Sequence, residues 1–320
     1  MKILVTGGAG FIGSHVVEHC LQAGHHVVVV DDLSTGKPEN LPAGVKLYQV
    51  DIRNPGLAEI FQAEQPEVVS HQAAKANVRE SFELPRLYAE VNVVGSVNLL
   101  ECCRRYGVRK VIYASTGGAV YGEPQELPVR ESHPINPLDP YGASKHHVEH
   151  YLHLYRVNFG LRYTALRYPN VYGPRQDPLG EAGVVAIFTA RLLRGETPLI
   201  NGSGEQQRDF VHVTDIARAN VLALTAGDDG IYNLGSGRGT TVSEIWAHLA
   251  EITGFSGSPQ YGPPKAGEVY RIFLDASAAA AAMGWRPLVG LRDGLTDTVQ
   301  WFRRGTRLPS PSGTAGSTGA

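Results

Sequence analysis

The chain has 320 residues, of which 42% are hydrophobic and 19% charged, and its formal net charge is −2. This balance supports a sizeable core in one or two joined domains and offers no basic surface for nucleic acid or an anionic membrane. The three cysteines, Cys20, Cys102 and Cys103, lack metal-ligand spacing and are expected to be reduced thiols. Met1-Lys2-Ile3-Leu4-Val5 runs straight into glycines and no apolar run reaches bilayer length, so no signal peptide, no membrane span and a cytoplasmic location are expected.

In chain order, strands are predicted at 3–6, 26–31, 46–50, 67–71, 110–114 and 164–168, with helices at 11–22, 57–63, 85–106 and 143–159 between them. Short apolar runs that alternate with amphipathic stretches are the pattern of βαβ units. Val27-Val28-Val29-Val30 has the unbroken character of a strand covered on both faces. The expected fold is therefore α/β, a doubly wound Rossmann parallel sheet over residues 1–167. After Tyr168 the chain becomes rich in Gly-Pro loops, with helices predicted at 184–194, 213–226, 242–253 and 291–302. This predicts a smaller α/β substrate-binding C-terminal lobe over 168–308, from which 208–235 returns to pack on the first. Residues 309–320 are Pro, Ser, Gly, Thr and Ala, and disorder is expected there.

Gly7, Gly10 and Gly13 follow the first strand and open the first helix, with Phe11 and Ile12 between the last two. In that context glycines permit a tight turn and let the backbone approach a pyrophosphate, which the helix N-terminus attracts. Asp31 ends the second strand, about 20 residues on, where a carboxylate binds ribose hydroxyls. With Asp32 beside it a 2′-phosphate would be repelled, so NAD is expected over NADP. Asp51-Ile52, after the third strand, could hold the adenine or simply form a turn.

Tyr141 and Lys145 stand four residues apart, on one face of a helix. A lysine charge there favours the phenolate and moves the tyrosine toward the range of a general base. The hydroxyls of Ser115-Thr116 follow an apolar strand between this pair and the glycines. Together the three features point to nicotinamide redox chemistry. His146, His147, His150 and His153 follow on the same helix without a completing ligand set; they read as solvated or subunit-facing, and no metal is expected.

These motifs, with Ala119-Val120-Tyr121-Gly122, Arg167-Tyr168-Pro169-Asn170-Val171-Tyr172-Gly173-Pro174 and Gln207-Arg208-Asp209-Phe210-Val211-His212-Val213, resemble the extended short-chain dehydrogenase/reductases. More narrowly they are similar to nucleotide-sugar epimerases of the UDP-glucose 4-epimerase kind. The resemblance spans about residues 1 to 305. It implies that Tyr141 takes the proton of a UDP-sugar 4-hydroxyl while hydride passes to tightly bound NAD, and that Lys145 holds the nicotinamide ribose. It implies Ser34, Ala73, Lys75, Asn92, Ser115 and Tyr168 along the cofactor. Asn170, Asn201 and Arg208 would hold the diphosphate, Glu268 the uridine ribose, and Ile272 would lie beside the C2 substituent. A homodimer built on the helices at 85–106 and 143–159 is implied as well.

Two positions depart from the family pattern. Gly117 stands where a catalytic Ser or Thr is common, so Thr116 or a water must serve. Lys265 stands where the uridine-binding segment often has Arg. The same scaffold also carries 4,6-dehydratases, but Gly117-Gly118 replaces the Asp-Glu pair that they need. UDP-glucuronate epimerases and decarboxylases keep the same Tyr and Lys and remain an alternative. A non-catalytic NAD-sensing module would have no need of a base.

Overall fold

A computed structural model describes residues 1–179, 183–264 and 269–305. The predicted tail at 309–320, Lys265 and Glu268 lie outside the described residues. Six strands, β1 (Lys2–Thr6), β2 (His26–Asp31), β3 (Lys46–Gln49), β4 (Val68–His71), β5 (Lys110–Thr116) and β6 (Arg162–Tyr168), form a parallel sheet with Gly230–Asn233. The strand order is Gly230–Asn233, β6, β5, β4, β1, β2, β3. Chain direction across the sheet reverses between β1 and β4, and the crevice beyond the carboxyl ends at that point is where such sheets bind ligands.

Side chains on successive strand residues point to opposite faces, and here both faces are covered. Ile3, Val5, Val27 and Val29 pack on one side with helix Phe11–Gln22 and helix Val213–Ala223. Leu4, Val30, Val69, Val111 and Tyr113 pack on the other with Leu99, Val148 and Leu152. Two-sided burial accounts for the continuous valine run of β2.

Beyond β6 the chain builds a second lobe. Asn170–Tyr172 pairs parallel with Phe210–His212, while Gln207–Arg208 lies between Thr240–Thr241 and Arg271–Ile272. Helices Val184–Leu193, Val242–Thr253 and Leu291–Gly305 enclose a core of Phe188, Leu192, Ile245, Leu249, Leu295 and Val299. Helix Val242–Thr253 starts with a complete capping box between Thr241 and Glu244. Helix Val213–Ala223 and strand Gly230–Asn233 belong to the first lobe by packing and pairing.

Two elements differ from the sequence expectation where they position the site. The single helix expected at 85–106 is instead Pro85–Tyr88, a π-helical stretch Ala89–Gly95, and Ser96–Arg105, preceded by a short helix Val78–Glu83. The widened turn carries Asn92, and π-helical insertions of this kind are frequent at functional sites. The helix expected at 143–159 is Pro140–Phe159, opened by Asp139, whose carboxylate accepts from the Gly142 N–H at 2.7 Å. Tyr141 therefore stands in the first turn. Gly142 lets this turn approach the loop after β5, since a Cβ there would lie 2.6 Å from the Ala119 carbonyl oxygen.

Candidate active site

A cleft of about 850 Å³ runs along the carboxyl ends of the sheet strands. Gly7, Gly10, Phe11, Ile12 and Gly13 line one wall. Gly7 has φ +65°, and a Cβ on Gly13 would overlap the Gly7 carbonyl oxygen, so the turn admits only glycine at these two places. The first turn of helix Phe11–Gln22 thus offers backbone N–H groups to the cleft.

Asp31, Asp32, Ser34, Asp51 and Ile52 line its far end. Asp31 is buried and accepts from the N–H groups of Ala9 and Leu33, each at 2.9 Å. Burial pushes its carboxyl above the usual range, and those two bonds oppose the rise. Asp32 accepts from the Ser34 N–H and hydroxyl at 2.9 and 2.7 Å. The Asp51 carboxylate is taken up by the Arg53 guanidinium, with Nη2 at 2.6 Å. An adenine at that end would meet an ion pair rather than a free carboxylate.

Ala73 and Lys75 follow β4 along the opposite wall. Asn92 lies behind them, buried, and does not line the cleft. Its side-chain oxygen accepts from the Lys75 N–H at 2.8 Å, and its nitrogen donates to the Lys75 carbonyl and Ser144 hydroxyl at 2.9 Å each. Asn92 therefore fixes the Lys75 backbone.

Ser115, Thr116, Tyr141, Lys145 and Tyr168 meet at the inner end of the cleft. Lys145 is 3% exposed, with Nζ 4.4 Å from the centroid of the Tyr113 ring. Burial brings its pKa down to about 7, and Glu149 one turn on opposes the fall. Ser115 donates to the Glu149 carboxylate at 2.6 Å, which commits its hydroxyl inward. Thr116, the last residue of β5, lines the cleft. Tyr168 accepts from Asn220 Nδ2 at 2.8 Å and donates to Gln72 at 3.2 Å, while burial pushes its phenol up to about 12.

Gly117 has a packing reason: a Cβ there would overlap Leu274 Cδ1, and Leu274 is buried. The place where a serine or threonine side chain would stand is filled by a leucine from the second lobe. A dehydratase-type aspartate at position 117 would likewise have to displace the Leu274 side chain.

A buried network that sequence reasoning passed over lies beneath the Tyr-Lys pair. Glu149 accepts from Arg167 Nε and Nη2 at 2.9 and 2.6 Å and pairs with His146 Nδ1 at 3.0 Å. Burial alone would raise its pKa, but these partners outweigh it and hold Glu149 at about 2. Arg167 also donates to the Tyr121 hydroxyl at 2.7 Å, which donates to Asn233 at 2.8 Å. The available signal was spacing, since Glu149 repeats the four-residue interval from Tyr141 and Lys145. Among the described residues no group of three or more His, Cys, Asp or Glu could hold a metal ion.

Asn170 lines both this cleft and a second cavity of about 310 Å³, which Asn201 and Arg208 also line. Ile272 lines neither cavity. It is 2% exposed and packs with Val120, Tyr121, Val129 and Leu274.

Sheet order, glycine turn and the helical Tyr-Lys pair define a Rossmann protein of the short-chain dehydrogenase/reductase class. The chain belongs to the NAD dependent epimerase/dehydratase family, whose model matches residues 3–235. It is 43% identical to the UDP-glucose 4-epimerase of Mycolicibacterium smegmatis over 95% of this chain and 99% of that protein. Among solved structures it is similar to a UDP-glucose 4-epimerase with UDP-glucose from Thermotoga maritima, at 50% identity and a TM-score of 0.94, covering 95% of this chain and 99% of that one. The Thermus thermophilus UDP-glucose 4-epimerase in complex with NAD gives 48% identity and a TM-score of 0.91, with 96% and 100% covered.

Proposed function

We propose that this chain is a UDP-glucose 4-epimerase, an NAD-dependent isomerase that interconverts UDP-glucose and UDP-galactose. The observation that carries the reading is the junction of two cavities. A cleft lined by a glycine turn and by Tyr141 and Lys145 shares Asn170 with an arginine-lined cavity suited to a nucleotide diphosphate. The cleft suits NAD: its glycine turn has no space for side chains, and Asp31 and Asp32 oppose a 2′-phosphate. Bound NAD supplies the reversible hydride acceptor for C4.

The protein's own part is proton handling and positioning. Tyr141 accepts the proton of the 4-hydroxyl and later returns it. The Lys145 ammonium stabilises the phenolate and donates to the nicotinamide ribose. Thr116 supplies the hydroxyl that Gly117 lacks. Asn170, Asn201 and Arg208 hold the nucleotide while the 4-keto sugar turns its other face to the cofactor. The cofactor belongs to residues 1–167 with the returning helix Val213–Ala223 and strand Gly230–Asn233, and the nucleotide mainly to the C-terminal lobe.

No described helix is long and apolar enough to cross a membrane, and we assign the enzyme to the cytoplasm. We also assign it as a homodimer. Leu154 and Val157 on helix Pro140–Phe159, with Val94 on the π-helical stretch, are exposed apolar side chains that a second copy would cover. Light scattering of the purified protein tests that assignment.

The test of activity is to mix the protein with UDP-galactose, without added NAD, and look for UDP-glucose. No conversion by protein that carries its cofactor overturns the reading. Conversion of UDP-glucuronate instead would replace it with the uronate alternative.

A further inference from the structure

Arg79, Arg191 and Arg208 line the second cavity together with Asn170 and Asn201, and none of its described lining residues is acidic. Arg208 lies in strand Gln207–Arg208 and Arg191 in helix Val184–Leu193, both in the C-terminal lobe. Arg79 comes from the cofactor-binding lobe, in the short helix Val78–Glu83. Its backbone is fixed, because Asn77 Oδ1 accepts from the Arg79 N–H at 3.0 Å. Its side chain is exposed and forms no hydrogen bond or ion pair among the described residues.

Arg208 alone is a poor match for a diphosphate. One of its guanidinium nitrogens, Nη1, already donates to the carbonyl oxygens of Gln207 at 2.9 Å and Tyr270 at 3.3 Å. Arg191 is partly spent as well, with Nη1 3.4 Å from the Thr197 carbonyl. A diphosphate carries two or more negative charges on two phosphorus centres, and charge-assisted bonds from opposed cations neutralise it best.

We propose that Arg79 is a diphosphate ligand supplied by the cofactor-binding lobe opposite Arg208, so that the bound nucleotide bridges the two lobes. The proposal rests on the UDP-sugar reading above. It adds a coupling, because the segment that ends at Arg79 also lines the cofactor cleft from Gln72 to Ala76. Asn92 holds the middle of that segment through both backbone groups of Lys75. One piece of chain thus touches both sites, and its diphosphate contact is made only when a nucleotide spans the cavity.

The experiment compares UDP and uridine binding to the NAD-loaded protein by calorimetry, alongside the KM for UDP-galactose. Loss of a charged hydrogen-bond donor to phosphate predicts that Arg79→Ala weakens UDP by about ten- to a hundredfold and raises KM similarly. Uridine has no phosphate and should bind both proteins alike. Arg79→Lys should restore part of the UDP affinity, because it keeps the charge and loses the fork. Unchanged UDP affinity in Arg79→Ala overturns the proposal, and so does an equal loss for uridine, which would mean a disturbed pocket. Failure of the unaltered protein to bind UDP overturns the nucleotide-sugar reading itself.

Discussion

Replacing Lys145 by methionine should make the cofactor-free protein more stable while abolishing its activity. The fold lowers this lysine from 10.5 to about 7, because burial penalises the ammonium. A drop of that size corresponds to about 5 kcal/mol against the charged form, and to about 4 kcal/mol of lost stability at pH 7. The Tyr113 ring, 4.4 Å from Nζ, returns about 1 kcal/mol of this by cation–π attraction. Methionine fills similar space without a charge, so a gain of about 2 to 4 kcal/mol is expected at pH 7. The pH dependence isolates the cause. Between about 7 and 10.5 the unfolded chain carries a proton at Lys145 that the native state lacks, so wild-type stability rises with pH across that window. The methionine variant lacks this contribution, so its advantage should be constant below about pH 7 and close toward 10.5. Urea midpoints of both proteins, stripped of nucleotide, measure this from neutral to alkaline pH. A variant no more stable at pH 7, or an advantage that does not narrow, refutes the reasoning.

The remaining predictions concern the reacting end and the cofactor. Tyr141→Phe removes the phenol and should lower turnover at least about a hundredfold with NAD content unchanged; near-normal turnover would sink the mechanism. Thr116→Val should fall well below Ser115→Ala in turnover, because the Ser115 hydroxyl is already committed to Glu149 at 2.6 Å, whereas equal activities would assign the relay to a water. Asp31→Ala leaves the N–H groups of Ala9 and Leu33 without their acceptor and should reduce both NAD retention and discrimination against NADP. Cofactor content after purification and reconstitution reads both effects, and a variant that keeps NAD and excludes NADP makes Asp31 a turn residue.

The chemistry at one end of each strand was legible because it depends on local spacing. The glycine turn, Asp31 and the Tyr141–Lys145 interval are each set by a few consecutive residues that fold as one unit. What was not legible depends on contacts between distant segments. Nothing near Gly117 in the sequence indicates that Leu274 occupies the space beside it. The π-helical stretch Ala89–Gly95 uses the same residue types as an α-helix, so hydrophobic periodicity merges it with its flanks. The helix that carries Arg79 has only six residues, too few to show a period. Ile272 looks like a pocket residue by counting from Asp275, but its strand turns that side chain into the cluster around Val120 and Tyr121.

The Glu149–Arg167 pair explains how Lys145 keeps a usable charge in a buried place. Glu149 lies one turn beyond Lys145 on the same helix, where an unengaged carboxylate would take the ammonium as its partner. A lysine held that way would have its charge neutralised locally and would do little for a phenol or a ribose on its other side. Arg167 prevents this by binding Glu149 with two nitrogens, at 2.9 and 2.6 Å, while Ser115 and His146 take further carboxylate positions. The fully engaged carboxylate still attracts Lys145 through space, which limits its depression, but among the described residues no carboxylate oxygen bonds to Nζ. Strand β6 thus ends in a residue, Tyr168, that lines the cleft, and places just before it a positioning residue, Arg167, that keeps the cleft's lysine unpaired. The destabilised ammonium and the satisfied ion pair are two halves of one arrangement, in which stability is given up at the position where the bound substrate and cofactor need the charge.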